Sequence, residues 1–164
     1  MCLVKFPKHQ QEKAMERTSQ ETILLHNGKE RRMVVGWKIV RIVVLPTPTG
    51  YLVLSTLNNF VWRHGWNKSS RSGFRKIVAL IEDHLVSFIR SDDYCDVNSG
   101  FHFYMDPPSM RPFRAHKKLY ALMKCHVLPE DIVSFGMNPN GHSGFVATKC
   151  YIDELPKRVT DDEN

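Results

Sequence analysis

The residues best equipped for chemistry sit in a few short stretches. Residues 62–71, Trp62-Arg63-His64-Gly65-Trp66-Asn67-Lys68-Ser69-Ser70-Arg71, interleave two indoles with cations and small polar groups. Indoles stack on bases while arginine and lysine reach phosphates, so the segment has the composition of a nucleotide or nucleic-acid contact. Tryptophans that anchor a loop to a core, with solvated cations between them, would read the same way. His102 stands between Phe101 and Phe103, so on a strand its ring points away from theirs and shares a face with Gly100 and Tyr104. A histidine and a tyrosine on one exposed strand face can bind phosphate or move a proton. The structural counterpart is a hydrogen-bonded histidine at the rim of a core. Lys38, on an early strand, completes the candidate ligand-binding set: Lys38, Trp62, Arg63, His102 and Tyr104.

Other stretches are weaker. Removal of Met1 would place the Cys2 thiol beside a free α-amine, as an N-terminal nucleophile needs; a cysteine packed under a sheet edge is the alternative. Arg111, Arg114, His116, Lys117 and Lys118 form a basic run of the kind that usually faces solvent. The loop Asn138-Pro139-Asn140-Gly141-His142-Ser143-Gly144 has turn residues that suit a phosphate but no Walker or dinucleotide fingerprint. No Ser-His-Asp order, paired-carboxylate motif or His-Glu-x-x-His is present, so no catalytic residue is assigned.

The four cysteines, at 2, 95, 125 and 150, form no Cys-x-x-Cys pair, and the adjacent Cys125 and His126 would point to opposite faces of a strand. The expectation is four reduced thiols, no metal and no cofactor.

Charge narrows the partner. The chain carries +6 overall, but the segment from Asp153 onward holds five acids and two bases, leaving 21 bases against 12 acids over residues 1–152, a net of +9. Such a body favours an anionic partner: a nucleotide, a phosphate or a nucleic acid. No apolar run reaches the roughly 18–20 residues of a membrane span, and the apolar stretch before Pro7 is too short for a signal-peptide core. The expectation is a chain that stays in the cytoplasm, with no membrane partner.

These residues must be positioned by a small number of elements. Residues 8–20 read as a loose helix or an extended arm. Asn27-Gly28 between two polar-apolar runs predicts a hairpin with a two-residue type I′ turn. The run from Met33 to Val44 predicts a long strand, with Gly36 as a bulge or a boundary, and residues 51–55 predict another. Residues 56–72 read as loop. Phe74, Ile77, Val78, Ile81, Leu85, Phe88 and Ile89 recur at helical spacing and predict the principal helix over residues 73–90. Residues 99–104, 119–127, 131–136 and 144–152 predict the remaining strands. The result is a single α+β domain over residues 1–155, a curved and mostly antiparallel sheet of six or seven strands with one principal helix, followed by an acidic tail at 156–164.

The opening Met1-Cys2-Leu3, followed by Trp37-Lys38-Ile39-Val40, Gly100-Phe101-His102-Phe103, Lys124-Cys125-His126-Val127 and Asp131-Ile132-Val133, resembles a group of small phage-encoded proteins that begin with the same three residues. That resemblance implies a virus-encoded accessory protein acting in the host cell and supplies no reaction. The order of elements also resembles ADP-ribosyltransferase-like folds, in which a curved split sheet grips a dinucleotide. Leu54-Ser55-Thr56 would supply part of their Ser-Thr-Ser strand, and Glu130 or Glu154 their late acid.

Three functions follow. The first is binding and sequestering of a small anionic ligand, a host nucleotide signal. The second is an enzyme transferring or cleaving a nucleotide-derived group, as the second resemblance implies. The third is a module for nucleic acid or a host protein.

Overall fold

β-Branched side chains between Met33 and Val44 favour extended backbone over helix. In the computed structural model they belong to one fifteen-residue strand, β3 (Glu30–Val44). The structure describes residues 3–45, 50–56, 60–69, 96–97, 100–116, 119–138 and 140–157. The helix expected over residues 73–90, Cys2, Cys95, Arg71, Lys117, Lys118 and the tail from residue 158 lie outside the described residues.

Before β3 come β1 (Leu3–Lys5), α1 (Lys8–Glu16) and β2 (Gln20–Leu24). After it come β4 (Tyr51–Ser55), β5 (Val61–Trp62), β6 (Gly65–Lys68), β7 (Asp96–Val97) and β8 (Phe101–Tyr104). A 3-10 turn at Arg111–His116 leads to β9 (Tyr120–Val127), and a second at Pro129–Asp131 leads to β10 (Ile132–Met137), β11 (Ser143–Ala147) and β12 (Lys149–Ile152). Every pairing is antiparallel. The strands lie in the order β6-β12-β9-β3-β8-β11-β10-β1-β7, with β2 and β4 also on β3 and β5 on β4.

This corrects the expected α+β domain of six or seven strands: among the described residues there are twelve strands in one open sheet and one α-helix, of nine residues. The physical reason is β3. One of its edges pairs with β9 from Val34 to Arg41. The other is shared in succession by β2 over residues 30–34, β8 at Trp37 and β4 over residues 40–44. Short segments therefore find partners that a local pattern does not announce. Residues 56–72, expected to be loop, contain β5 and β6, and the expected strand 144–152 divides at Thr148, where the chain leaves β8 and β10 for β6 and β9.

The Asn27-Gly28 hairpin exists with a different turn. Leu25 N–H donates to Lys29 O, Gly28 N–H donates to Leu25 O, and Gly28 has φ +76°. The loop thus holds three residues, 26–28, closed by a left-handed glycine, which lifts His26 out of the strand.

One main core cluster takes residues from distant points of the sheet path, including Trp62, Cys150, Ile152, Cys125, Phe103, Phe145 and Phe135. A flat sheet cannot bring these together, so the sheet wraps around its inner face. Gly36 lies under two rings of that inner face: a Cβ there would come within 2.7 Å of Phe145 Cζ and 2.9 Å of Phe103 Cβ. It is a close approach inside a continuous strand and not a boundary. The described helix is not long and apolar enough to cross a membrane.

Candidate functional site

Strand alternation assigns the five candidate residues to different places. Lys38 shares the inward parity of Val34 and Val40 on β3, and its Nζ donates to the His102 backbone carbonyl at 2.9 Å. The ammonium lies 5.6 Å from the Trp62 ring centroid and 5.7 Å from that of Phe103. Burial pushes this amine below the usual lysine range, and the neighbouring Cys125 and Cys150 act in the opposite sense. Burial, together with Cys125 and against the opposing effect of Lys38, holds the Cys150 thiol well above its ordinary value. Cys125 and Cys150 are both free and buried.

Trp62 is 2% exposed and packs against Phe60 and Phe101 with ring centroids 4.8 Å away in each case. It is a core residue. Arg63 is exposed in the turn between β5 and β6, where Asn67 Oδ1 accepts from its backbone N–H at 3.0 Å. On β8, Phe101 and Phe103 join the core, which leaves His102 and Tyr104 on the other face. There the Tyr104 hydroxyl accepts from Asn140 Nδ2 at 3.3 Å, and its ring meets His142 edge-on. The structure thus brings Lys38, Trp62 and the His102 backbone together, while the side chains of His102 and Tyr104 lie across the sheet.

Two grooves are better formed. The first, of about 370 Å³, runs along α1. His9, Lys13 and Arg17 recur every four residues and so share one exposed stripe of the helix. Phe6, Ala14 and Met105 form the apolar floor, with Gln10 and Ser143 as neutral polar groups. Among the described residues no carboxylate lines this groove, and its three basic residues make no ion pair. Gln11 fixes the helix in place. Its Nε2 donates to Phe6 O at 2.6 Å and to Phe135 O at 3.0 Å, while its Oε1 accepts from Phe135 N–H at 2.8 Å.

The second groove, of about 490 Å³, lies on the outer face and is lined by Glu21, Trp37, Lys124, His126 and the chain at 153–157, among others. Lys124 Nζ donates to Glu21 Oε1 at 2.7 Å, and His126 Nε2 meets Glu21 Oε2 at 3.0 Å. Lys124 and then His126 hold the Glu21 carboxyl below the usual carboxylate range, against the opposing effect of burial. An ionised Glu21 carboxylate can only accept, so Nε2 is the donor in this contact. His126 Nδ1 is buried and has no hydrogen-bond partner among the described residues. A nitrogen shut away from the groove cannot exchange a proton with a ligand. The cluster is a polar clamp joining β2 to β9 across β3. Among the described residues no group of three or more His, Cys, Asp or Glu side chains could hold a metal ion.

No family model matches this chain, and no curated protein or solved structure matches it.

The α1 stripe escaped the sequence reading although its signal was present: positions 9, 13 and 17 are basic at a four-residue repeat. The clamp had half a signal, because Lys124-Cys125-His126 alternates across the two faces of a strand. Its third member, Glu21, is 103 residues away from Lys124 in the chain, and nothing local ties the two together.

Proposed function

We propose that the chain binds a small anionic ligand of the phosphate or nucleotide class in the groove along α1. The observation that carries this reading is the stripe of His9, Lys13 and Arg17 facing an apolar floor, with no carboxylate in the lining among the described residues. Cations with no ion-pair partner among the described residues can pair with an external anion, and charge-assisted hydrogen bonds contribute about 1.5–3 kcal/mol each. Two such bonds supply about 3–6 kcal/mol, and with the apolar contact of a base or sugar on Met105 the net reaches the roughly 5.5 kcal/mol of a 100 µM complex once the ordering cost is met. Gln11 lowers that cost by holding the helix in place before the ligand arrives. The biological setting in keeping with the phage resemblance is a virus-encoded accessory protein that sequesters a host nucleotide signal in the host cytoplasm.

Calorimetry with inorganic phosphate, pyrophosphate and a panel of mononucleotides tests this, with chromatography of the mixture to show whether the ligand stays intact. Binding below about 100 µM that weakens at least tenfold in a Lys13→Ala/Arg17→Ala double variant is the expected result. Binding no tighter than millimolar, or binding that is indifferent to the double variant, rejects the reading. Turnover of the nucleotide would replace sequestration by an enzymatic role.

A further inference from the structure

The edge of the sheet at β6 has a chemistry of its own. Among the described residues β6 pairs only with β12, placing Trp66 opposite Tyr151 and Lys68 opposite Lys149. Trp66 is 45% exposed, yet its indole has a firm support. It meets the Tyr151 ring edge-on with centroids 5.4 Å apart, and Tyr151 itself is 1% exposed. His64 and His26, both exposed and with ring centroids 4.8 Å apart, extend the row of rings beside Tyr151. Asn67 locks the turn beneath, donating from Nδ2 to Arg63 O and Gly65 O at 2.8 and 3.0 Å.

The charges around this row are unbalanced. Like charges directly opposed across two strands are destabilising, yet Lys68 and Lys149 are so opposed. Lys149 reaches Asp131 at 3.9 Å, whereas Lys68 and Arg63 make no ion pair among the described residues. Asp153, which lines the outer groove, follows Ile152 at the end of β12 that pairs with Gly65, the opposite end from the Lys68–Lys149 pair. A pairing that breaks a local rule with little internal compensation points to an external counter-charge. An exposed, supported indole beside it points to a partner with flat rings.

We propose that this edge binds single-stranded nucleic acid, with a base stacked on Trp66 and backbone phosphates at Lys68, Lys149 and Arg63. Residues two apart on a strand are about 6.8 Å apart, a separation that one extended nucleotide spans between its base and a neighbouring phosphate. A duplex hides its base faces, so it gains only the phosphate contacts. Trp66 lies in neither of the two grooves described above, so a free nucleotide stacked on its one ring repays little of its ordering cost. A strand repeats the contacts. This inference is independent of the α1 groove.

The test is fluorescence anisotropy of a labelled oligothymidylate of about 12 nucleotides, within the usual site sizes of such proteins. A labelled duplex is measured beside it, and both are titrated with salt. Binding is expected for the single strand and to weaken about fivefold or more in Trp66→Ala, with recovery in Trp66→Phe. In Lys68→Gln/Lys149→Gln the slope of log affinity against log salt is expected to fall by about 1.4. Thermal melting of each variant confirms that it folds, which exposed substitutions permit. Equal affinity for the duplex, affinity unchanged in Trp66→Ala, or loss of binding in the α1 double variant would each overturn the proposal.

Discussion

Lys38 Nζ donates to the His102 backbone carbonyl at 2.9 Å, inside a sheet whose inner face is otherwise almost wholly apolar. The contact satisfies one of three N–H donors and supplies no negative charge. Two aromatic rings at 5.6 and 5.7 Å offset part of the missing counter-charge, and no carboxylate contributes to its shift.

That arrangement has a pH signature. The folded-state pKa of Lys38 is lowered, so between that value and the ordinary lysine value of about 10.4 the unfolded chain binds more protons than the folded one. Stability attributable to Lys38 therefore rises with pH through that window and is lowest below it. The raised Cys150 thiol acts in the opposite sense above its ordinary value, so the effect is read as a difference between variants. Lys38→Met should be more stable than the wild type at pH 7, by about 1 kcal/mol or more. The difference should shrink as the pH approaches 10. Urea unfolding of both proteins at pH 7, 8.5 and 10 measures it, and a difference constant with pH contradicts the burial of the amine.

Glu21 gives the complementary case. Its lowered carboxyl contributes stability that is present above the ordinary value of about 4.3 and is lost as the pH falls through the folded value. The Glu21 and Lys124 side chains are 39% and 40% exposed, so solvent screening keeps their ion pair to about 0.2–1 kcal/mol. His126 is only 3% exposed, and Glu21→Ala also strands its Nε2, which costs about 1–3 kcal/mol. Glu21→Ala should therefore destabilise more than Lys124→Ala in urea unfolding at pH 7. Equal losses would show that the histidine contact contributes nothing.

Two indoles four residues apart should behave in opposite ways. Trp62→Ala removes a core ring and should cost about 3–5 kcal/mol. Trp66→Ala should stay within about 0.5–1 kcal/mol, because nearly half of the residue is already in water. Acrylamide quenching of single-tryptophan variants supplies a second measure: strong for Trp66, weak for Trp62. Comparable quenching of the two would place both indoles on one side of the sheet.

What the chain determined by itself is local. Runs of β-branched residues and flanking turn residues marked β3, β4, β8, β9 and β10 close to their observed positions, because strand propensity and turn chemistry act over a few residues. Alternation also placed Cys125 and His126 on opposite faces of β9, as the structure has them. Tertiary structure decided the rest. Along one straight strand Trp62 and Trp66 would share a face, but the turn at Arg63 and His64, closed by Gly65 at φ +85°, sends one into the core and the other to the edge. β6 went unrecognised because its inward side chain is Asn67, held by backbone hydrogen bonds in place of apolar contacts, so no hydrophobic period marks it. The pairing of β3 with β2, β8 and β4 along one edge, and the meeting of Glu21 with Lys124 and His126, join segments far apart in the chain. Such contacts are set by the free energy of the whole wrapped sheet, in which Phe103 and Phe145 close over Gly36 from distant strands, and no window of neighbouring residues contains that term.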